Sequence, residues 1–483
     1  MAHAILLFLL FSYIISTHIH ACKQTERSSL LSFASTLSSS PLNWTSIDCC
    51  RWKGITCDQD GWVTRLLLPS KGLKGRISPF ALVFRAGHNN LSGLLPEDIY
   101  NATKLEEIAL PFNSLHGAIS DKIVNLTNLA ILDLSFNHFG GELPLNLGKL
   151  SKLKFVTFDF NNLEGALPPS LMNCTNLVEL RLENNTLEGD ISMLDFSRLS
   201  QLTKLDLRVN NFTGTIPVSL YSCRSLKAIR LSKNHLEGQI QAEILSLKSL
   251  SFLSLGGNRF TNLTWAVKIL MSFKSLHTLI LAGSYEGEGM PSDDDMVDFD
   301  GFQNLRLFSL AGSDLHGQIP LWLSKLKNLE LLELATIVLS NNNISGDIPT
   351  EIGQLQLLQE LYLDSNNFSG IIPDQISNLK NLEVLNLSMN LLSGIIPSSL
   401  ASLNFLREFN TSYNNLEGPI PIGTQLQSFN ASAFEGNPKL CGVPLPNKCE
   451  PNKCIDTDNK NNKDEGNGHH QLPCVHQHDE KKA

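Results

Sequence analysis

Leu382 to Pro397 reads LEVLNLSMNLLSGIIP, which reduces to L-x-x-L-x-L-x-x-N-x-L-x-G-x-I-P. The same pattern returns along the chain, with its asparagine at Asn89, Asn113, Asn137, Asn161, Asn185, Asn210, Asn234, Asn258, Asn342, Asn366, Asn390 and Asn414. Lys71, Ser284 and Ser313 occupy three further slots, giving fifteen rungs with a usual step of 24 residues. Self-similarity at that period is the mark of a solenoid, in which each coil contacts its neighbours alone.

One rung explains the residue types. In Leu382-x-x-Leu385-x-Leu387 the period of two sends Leu385 and Leu387 into the core and leaves Asn386 and Ser388 outward, so this half is a short strand. Asn390 turns the chain inward, where its amide meets backbone groups of adjacent coils that would otherwise be buried unpaired. Gly394 permits a tight bend, and Pro397 rejects helix and holds an extended path. A single rung cannot bury its own leucines, so stacking and end caps must supply the stability. These are leucine-rich repeats.

A solenoid grows along one axis, so 483 residues need no division into globular domains. A net charge of -9 and a pI near 5.8 argue against nucleic acid as a partner. The run from Ile5 to Ile15, followed by Ala21 and Cys22, reads as a secretory leader, and no later stretch has the length of a membrane span. Thirteen N-x-S/T sequons, at Asn43, Asn90, Asn101, Asn125, Asn173, Asn184, Asn211, Asn262, Asn343, Asn367, Asn386, Asn410 and Asn430, fit export to the extracellular space. Cys22, Cys49, Cys50 and Cys57 precede the first rung, and Cys441 and Cys449 follow the last, as staples for the core's ends. The four N-terminal cysteines allow three pairings. Cys174 and Cys223 share a phase two rungs apart, about 10 Å, which is beyond disulfide reach; they read as buried thiols.

Leu30, Phe33, Ala34 and Leu37 stand at helical spacing in Thr25 to Leu37, a helix able to cover the first coil. Trp52-Lys53-Gly54-Ile55-Thr56-Cys57 after a cysteine pair resembles the N-terminal cap of plant leucine-rich-repeat receptors. Glu435 to Cys449, EGNPKLCGVPLPNKC, resembles the matching C-terminal cap. With the G-x-I-P half-repeat, the resemblance covers Cys22 to Cys449. It is strongest, through Arg230 to Leu255 and Gly301 to Leu329, to the branch that recognises tyrosine-sulfated peptides. It implies a plant-type α/β leucine-rich-repeat solenoid with a parallel β-sheet on the concave face and disulfide-capped ends. It also implies pairing of Cys22 with Cys49 and Cys50 with Cys57, a peptide or protein ligand on the inner face, and a membrane receptor kinase as co-receptor. The layout expected is a leader at 1–21, an N-terminal cap at 22–62, repeats over 63–421, a C-terminal cap at 422–449 and a disordered tail at 450–483.

The chain departs from that family in three places, at 71–89, at 329–342 and in the tail, and its repeats are also irregular over 284–313. The step from Lys71 to Asn89 is six residues short, which predicts a malformed coil. The segment 284–313 contains the acidic run SYEGEGMPSDDDMVDFDG, which fails the spacing of a calcium loop and reads as a solvated excursion. At 329–342 the asparagine slot comes five residues late, as if two half-rungs were fused where the family carries an inserted island. The tail stops where relatives continue into a membrane span; its His469, His470, Cys474, His476 and His478 read as an exposed segment of arbitrary composition rather than a metal site.

No nucleophile elbow, metalloprotease helix, phosphate loop or kinase signature occurs, so the expectation is a non-enzyme without cofactor or metal. Outward strand positions of successive rungs supply Arg181, Lys204, Arg208, Arg230 and Lys233, with Lys227 beside them and Glu179, Glu183 and Asp206 interspersed. They form either a dock for an anionic peptide or a mixed solvated surface. Phe112, Phe136 and Phe160 recur just before their asparagines as a packing ladder. The function expected is an extracellular receptor-like protein. The alternatives are an inhibitor of a pathogen's wall-degrading enzymes, or the product of a truncated gene.

Overall fold

The computed structural model describes residues 22–39, 42–75, 83–296, 302, 304–326, 335–422 and 425–449. The leader and tail expected at 1–21 and 450–483 lie outside them. Each rung enters as a short strand with its central residue inside, as in Glu179–Arg181, where Leu180 is buried between two half-exposed neighbours. Fifteen such strands, from Val63–Leu67 to Glu408–Asn410, lie parallel in one sheet, joined at its start by the antiparallel strand Ile55–Cys57. Apolar residues meet across the rungs: Val156 pairs with Leu180, and Leu180 with Leu205. A second, flanking sheet of ten strands runs from Leu37–Ser39 to Arg259–Phe260 and resumes later as two three-stranded pieces. On the convex side most rungs return through a 3-10 turn, and in seven of them it begins directly after proline, as Val218–Ser222 does after Pro217 at φ -65.

The asparagine ladder closes the backbone's hydrogen bonds. The Asn137 amide nitrogen donates to the carbonyls of Leu110, Leu134 and Ser135 at 2.9, 3.0 and 3.1 Å, while its oxygen accepts from Leu115 N–H at 3.0 Å. Asn437, 23 residues beyond Asn414, does the same in the C-terminal cap, accepting from Leu416 N–H and donating to the Thr411 carbonyl, both at 3.0 Å. It is a sixteenth slot, hidden in EGNPKL because its strand leucine is replaced by Phe434.

Helix Gln24–Thr36 buries Leu30 and Phe33 over the first coil, and Trp44 stacks on Trp52 at 5.0 Å beneath it. Disulfides Cys22–Cys49, Cys50–Cys57 and Cys441–Cys449 close the ends in the pairing that the resemblance implied. Cys174 and Cys223 are free and buried, and burial pushes both thiols up to about 11.

Both breaks in the period leave the concave sheet intact. Val83–Arg85 pairs with Val63–Leu67 on one side and Glu107–Ala109 on the other, so the expected malformation does not reach the strand. The missing residues fall between Gly75 and Val83, the return path, of which 76–82 lies outside the described residues. At the late break Thr336–Val338 pairs directly with Leu307–Ser309. The delayed Asn342 still accepts from Ser313 and Leu315 N–H at 3.1 and 3.0 Å.

The acidic run is not a solvated excursion over its described part. Tyr285, Met290 and Met296 are buried. The Glu288 carboxylate accepts from the first N–H groups of helix Leu263–Leu270, those of Asn262 and Leu263, both at 2.7 Å. The Asp293 carboxylate caps the turn Leu321–Lys325, accepting from Leu321 and Trp322 N–H at 3.0 and 2.9 Å. Helix Leu263–Leu270 is itself unexpected. Its rung lacks the G-x-I-P half, so no proline forbids an i to i−4 ladder, and Asn262 caps it by accepting from Trp265 N–H at 3.2 Å. No described helix is long and apolar enough to cross a membrane.

Candidate ligand-binding face

The concave sheet presents three outward columns, two, four and six residues before each asparagine slot, and the five predicted residues fall on or beside them in three consecutive rungs. The carboxylates interspersed among them in the sequence do pair with the arginines, though which pairs with which was not visible there. Arg208 Nε lies 2.9 Å from Asp206 and its Nη2 lies 2.6 Å from Glu183. Arg230 reaches the other Asp206 oxygen at 3.5 Å and lays its guanidinium over the Phe252 ring at 4.3 Å. Arg181 contacts Asp159 at 2.5 Å. All three arginines are therefore answered by carboxylates.

Lys204 and Lys233 are not; neither forms an ion pair with a described residue. Lys204 stands cross-strand from Glu179 and Ala228. Burial, then the positive charges of Arg181 and Arg230, hold its ammonium below the ordinary lysine value. The carboxylates of Glu179 and Asp206 pull the other way.

Asp159 escaped the sequence reading. It lies two residues before its slot, between Phe158 and Phe160, with its carboxylate fully buried. Burial pushes it up to about 6, against the pull of Arg181 and a 2.9 Å bond from Glu183 N–H; repulsion from Asp206 and Glu183 adds to the rise. The signal was its column, one rung ahead of Arg181. The aromatic ladder is real and longer by one ring: His88, Phe112, Phe136 and Phe160 stack with centroids 4.3, 4.1 and 4.4 Å apart. Eleven of the thirteen sequon asparagines are exposed; Asn386 and Asn410 are half-buried neighbours in the concave sheet itself.

Residues 23–58 match the family model described as leucine rich repeat N-terminal domain, and 128–150, 200–260, 333–355 and 356–416 match leucine-rich-repeat models. Receptor-like protein 3 of Arabidopsis thaliana is 45% identical over 92 residues, 19% of this chain and 12% of that protein. Phytosulfokine receptor 1 of the same plant is 34% identical over 90 residues, 19% of this chain and 8% of that protein. The matched stretches thus span a small part of these relatives. Among solved structures, the plant peptide hormone receptor RGFR1 in complex with RGF2 aligns over 81% of this chain and 65% of its own, with TM-score 0.64 and 27% identity. A TDR receptor aligns over 74% and 68%, with TM-score 0.57 and 28% identity. The chain has the leucine-rich-repeat solenoid fold of plant receptor ectodomains and is similar over part of its length to a plant receptor-like protein.

Proposed function

We propose that this chain acts outside the cell as a receptor-like leucine-rich-repeat protein, binding a secreted peptide or protein on its concave face in plant signalling or defence. The observation that carries the reading is the concave sheet, which stays in register through both breaks in the repeat period. A ligand-binding surface of this kind needs regular spacing over many rungs, and a neighbour of the same fold, a plant peptide hormone receptor, is solved in complex with RGF2. Arg181, Lys204, Arg208, Arg230 and Lys233 line the dock, with the two lysines as its unpaired contacts. A membrane receptor kinase is the partner that such an arrangement would need for signal output.

The test is capture of peptides from plant extracellular fluid on the immobilised secreted protein, compared with a Lys204→Glu/Lys233→Glu variant. A ligand retained at least tenfold better by the unmodified face is expected. Identical peptide sets on both proteins would remove the assignment of this face.

A further inference from the structure

The ring stack occupies one column at the edge of the concave face, immediately before the asparagine slots. His88, Phe112, Phe136 and Phe160 are followed in that column by Asn184, Val209 and Lys233, all with left-handed backbone at φ between 52 and 57. Among the described residues of this column Asn184 alone begins a sequon, Asn184-Asn185-Thr186. Phe160 N–H donates to the Glu183 carbonyl at 2.8 Å and Asn161 N–H to that of Asn184 at 3.3 Å. Asn184 therefore sits one strand spacing, about 4.8 Å, beyond Phe160. Equal backbone angles send its side chain out along the line on which the rings stand.

Phe160 has one face against Phe136 and is 37% exposed. No ring or cation covers its other face among the described residues. The Asn184 side chain is exposed and forms no hydrogen bond among them, so its Nδ2 is free to bear a substituent.

We infer that Asn184 carries an N-linked glycan whose first N-acetylglucosamine lies flat on the free face of Phe160, extending the stack by one member. The C–H groups of a pyranose form an apolar face of about the size of a phenyl ring, and covering an exposed ring with it removes apolar surface from water. The placement has a consequence for the dock. A sugar at Asn184 stands beside Glu183 and Arg208 and walls the charge network along that edge. Approach is then left to the opposite edge, where Lys204 stands, and to the far end of the same column, where Lys233 stands two rungs on. The inference rests on the secretory route included in the proposed function, and the remaining exposed sequons report on that route separately.

The test begins with the full chain secreted from plant cells and site occupancy mapped by glycopeptide mass spectrometry. Thermal unfolding is then compared for the unmodified protein, Asn184→Asp, Phe160→Ser and the double variant. Asn184 is expected to be occupied, and Asn184→Asp to lower Tm by about 2 °C with Phe160 present and not in the Phe160→Ser background. An unoccupied Asn184 on a protein glycosylated elsewhere overturns the inference alone, as does an equal shift in both backgrounds. A chain bare at every sequon overturns it together with the secretory route.

Discussion

Asn137 joins three carbonyls and one N–H from two rungs through one amide, and it is buried. Alanine there leaves those groups without partners in a dry coil. Asn137→Ala is expected to cost about 3 kcal/mol, read as a lowered denaturation midpoint, whereas a change at an exposed site such as Lys152 should stay within about 0.5 kcal/mol. Asp159 gives a second prediction, on pH. Its folded carboxyl keeps its proton up to about 6, while in an unfolded chain it is released near 4. Protonation therefore favours the folded state. The stability of the unmodified protein relative to Asp159→Asn should rise as pH falls from above 6 to below 4, by about 3 kcal/mol in total, and fall again on return. Chemical denaturation of both proteins across that range measures it. Asp159 illustrates what a sequence hides: its importance comes from burial among Phe158, Phe160 and Arg181, and burial of one polar residue in an apolar run leaves no periodic trace.

At the scale of elements, neighbouring coils approach until side chains no longer fit. A Cβ built on Gly148 would lie 1.9 Å from the Ser170 carbonyl oxygen of the next coil. Gly148→Ala must push two convex turns apart and is expected to lower stability by about 2 kcal/mol, checked by thermal unfolding. The two acids of the segment 284–296 also act on elements. Removing both with Glu288→Ala/Asp293→Ala strips four backbone N–H groups of their acceptors. It should cost about 2 kcal/mol and speed amide exchange at Asn262, Leu263, Leu321 and Trp322. The strands, turns and caps were legible because leucine spacing, asparagine and proline each impose one geometry. Helix Leu263–Leu270 and the packed acidic segment were not, because there the repeat grammar lapses and long-range capping decides. Of the five cations of the candidate face, Arg181, Lys204 and Arg230 lie in strands of the sheet, and Arg208 and Lys233 follow just after theirs. That acids lay among them was legible, but the individual pairs were not, since these depend on how far each guanidinium reaches across a rung.

For the whole molecule, stability is a sum over rungs and their interfaces, held at the ends by disulfides. Reduction of Cys22–Cys49 and Cys50–Cys57 releases a cap that includes helix Gln24–Thr36 and the Trp44–Trp52 stack. Hydrogen exchange should then quicken first in the strands Val63–Leu67 and Val83–Arg85 and reach later rungs progressively less.

Between the ends, the interfaces are unequal. The flanking sheet stops at Arg259–Phe260, and the two rungs that follow have serine in place of the ladder asparagine. Ser284 makes two of the bonds that an asparagine would make, and the Ser313 hydroxyl makes none. Concave pairing alone runs across this seam with full regularity. If the two ends of the protein are drawn apart in an optical trap, it is a fuse: extension should come in two force steps, the first opening near rungs 278–338 and leaving two shorter springs intact.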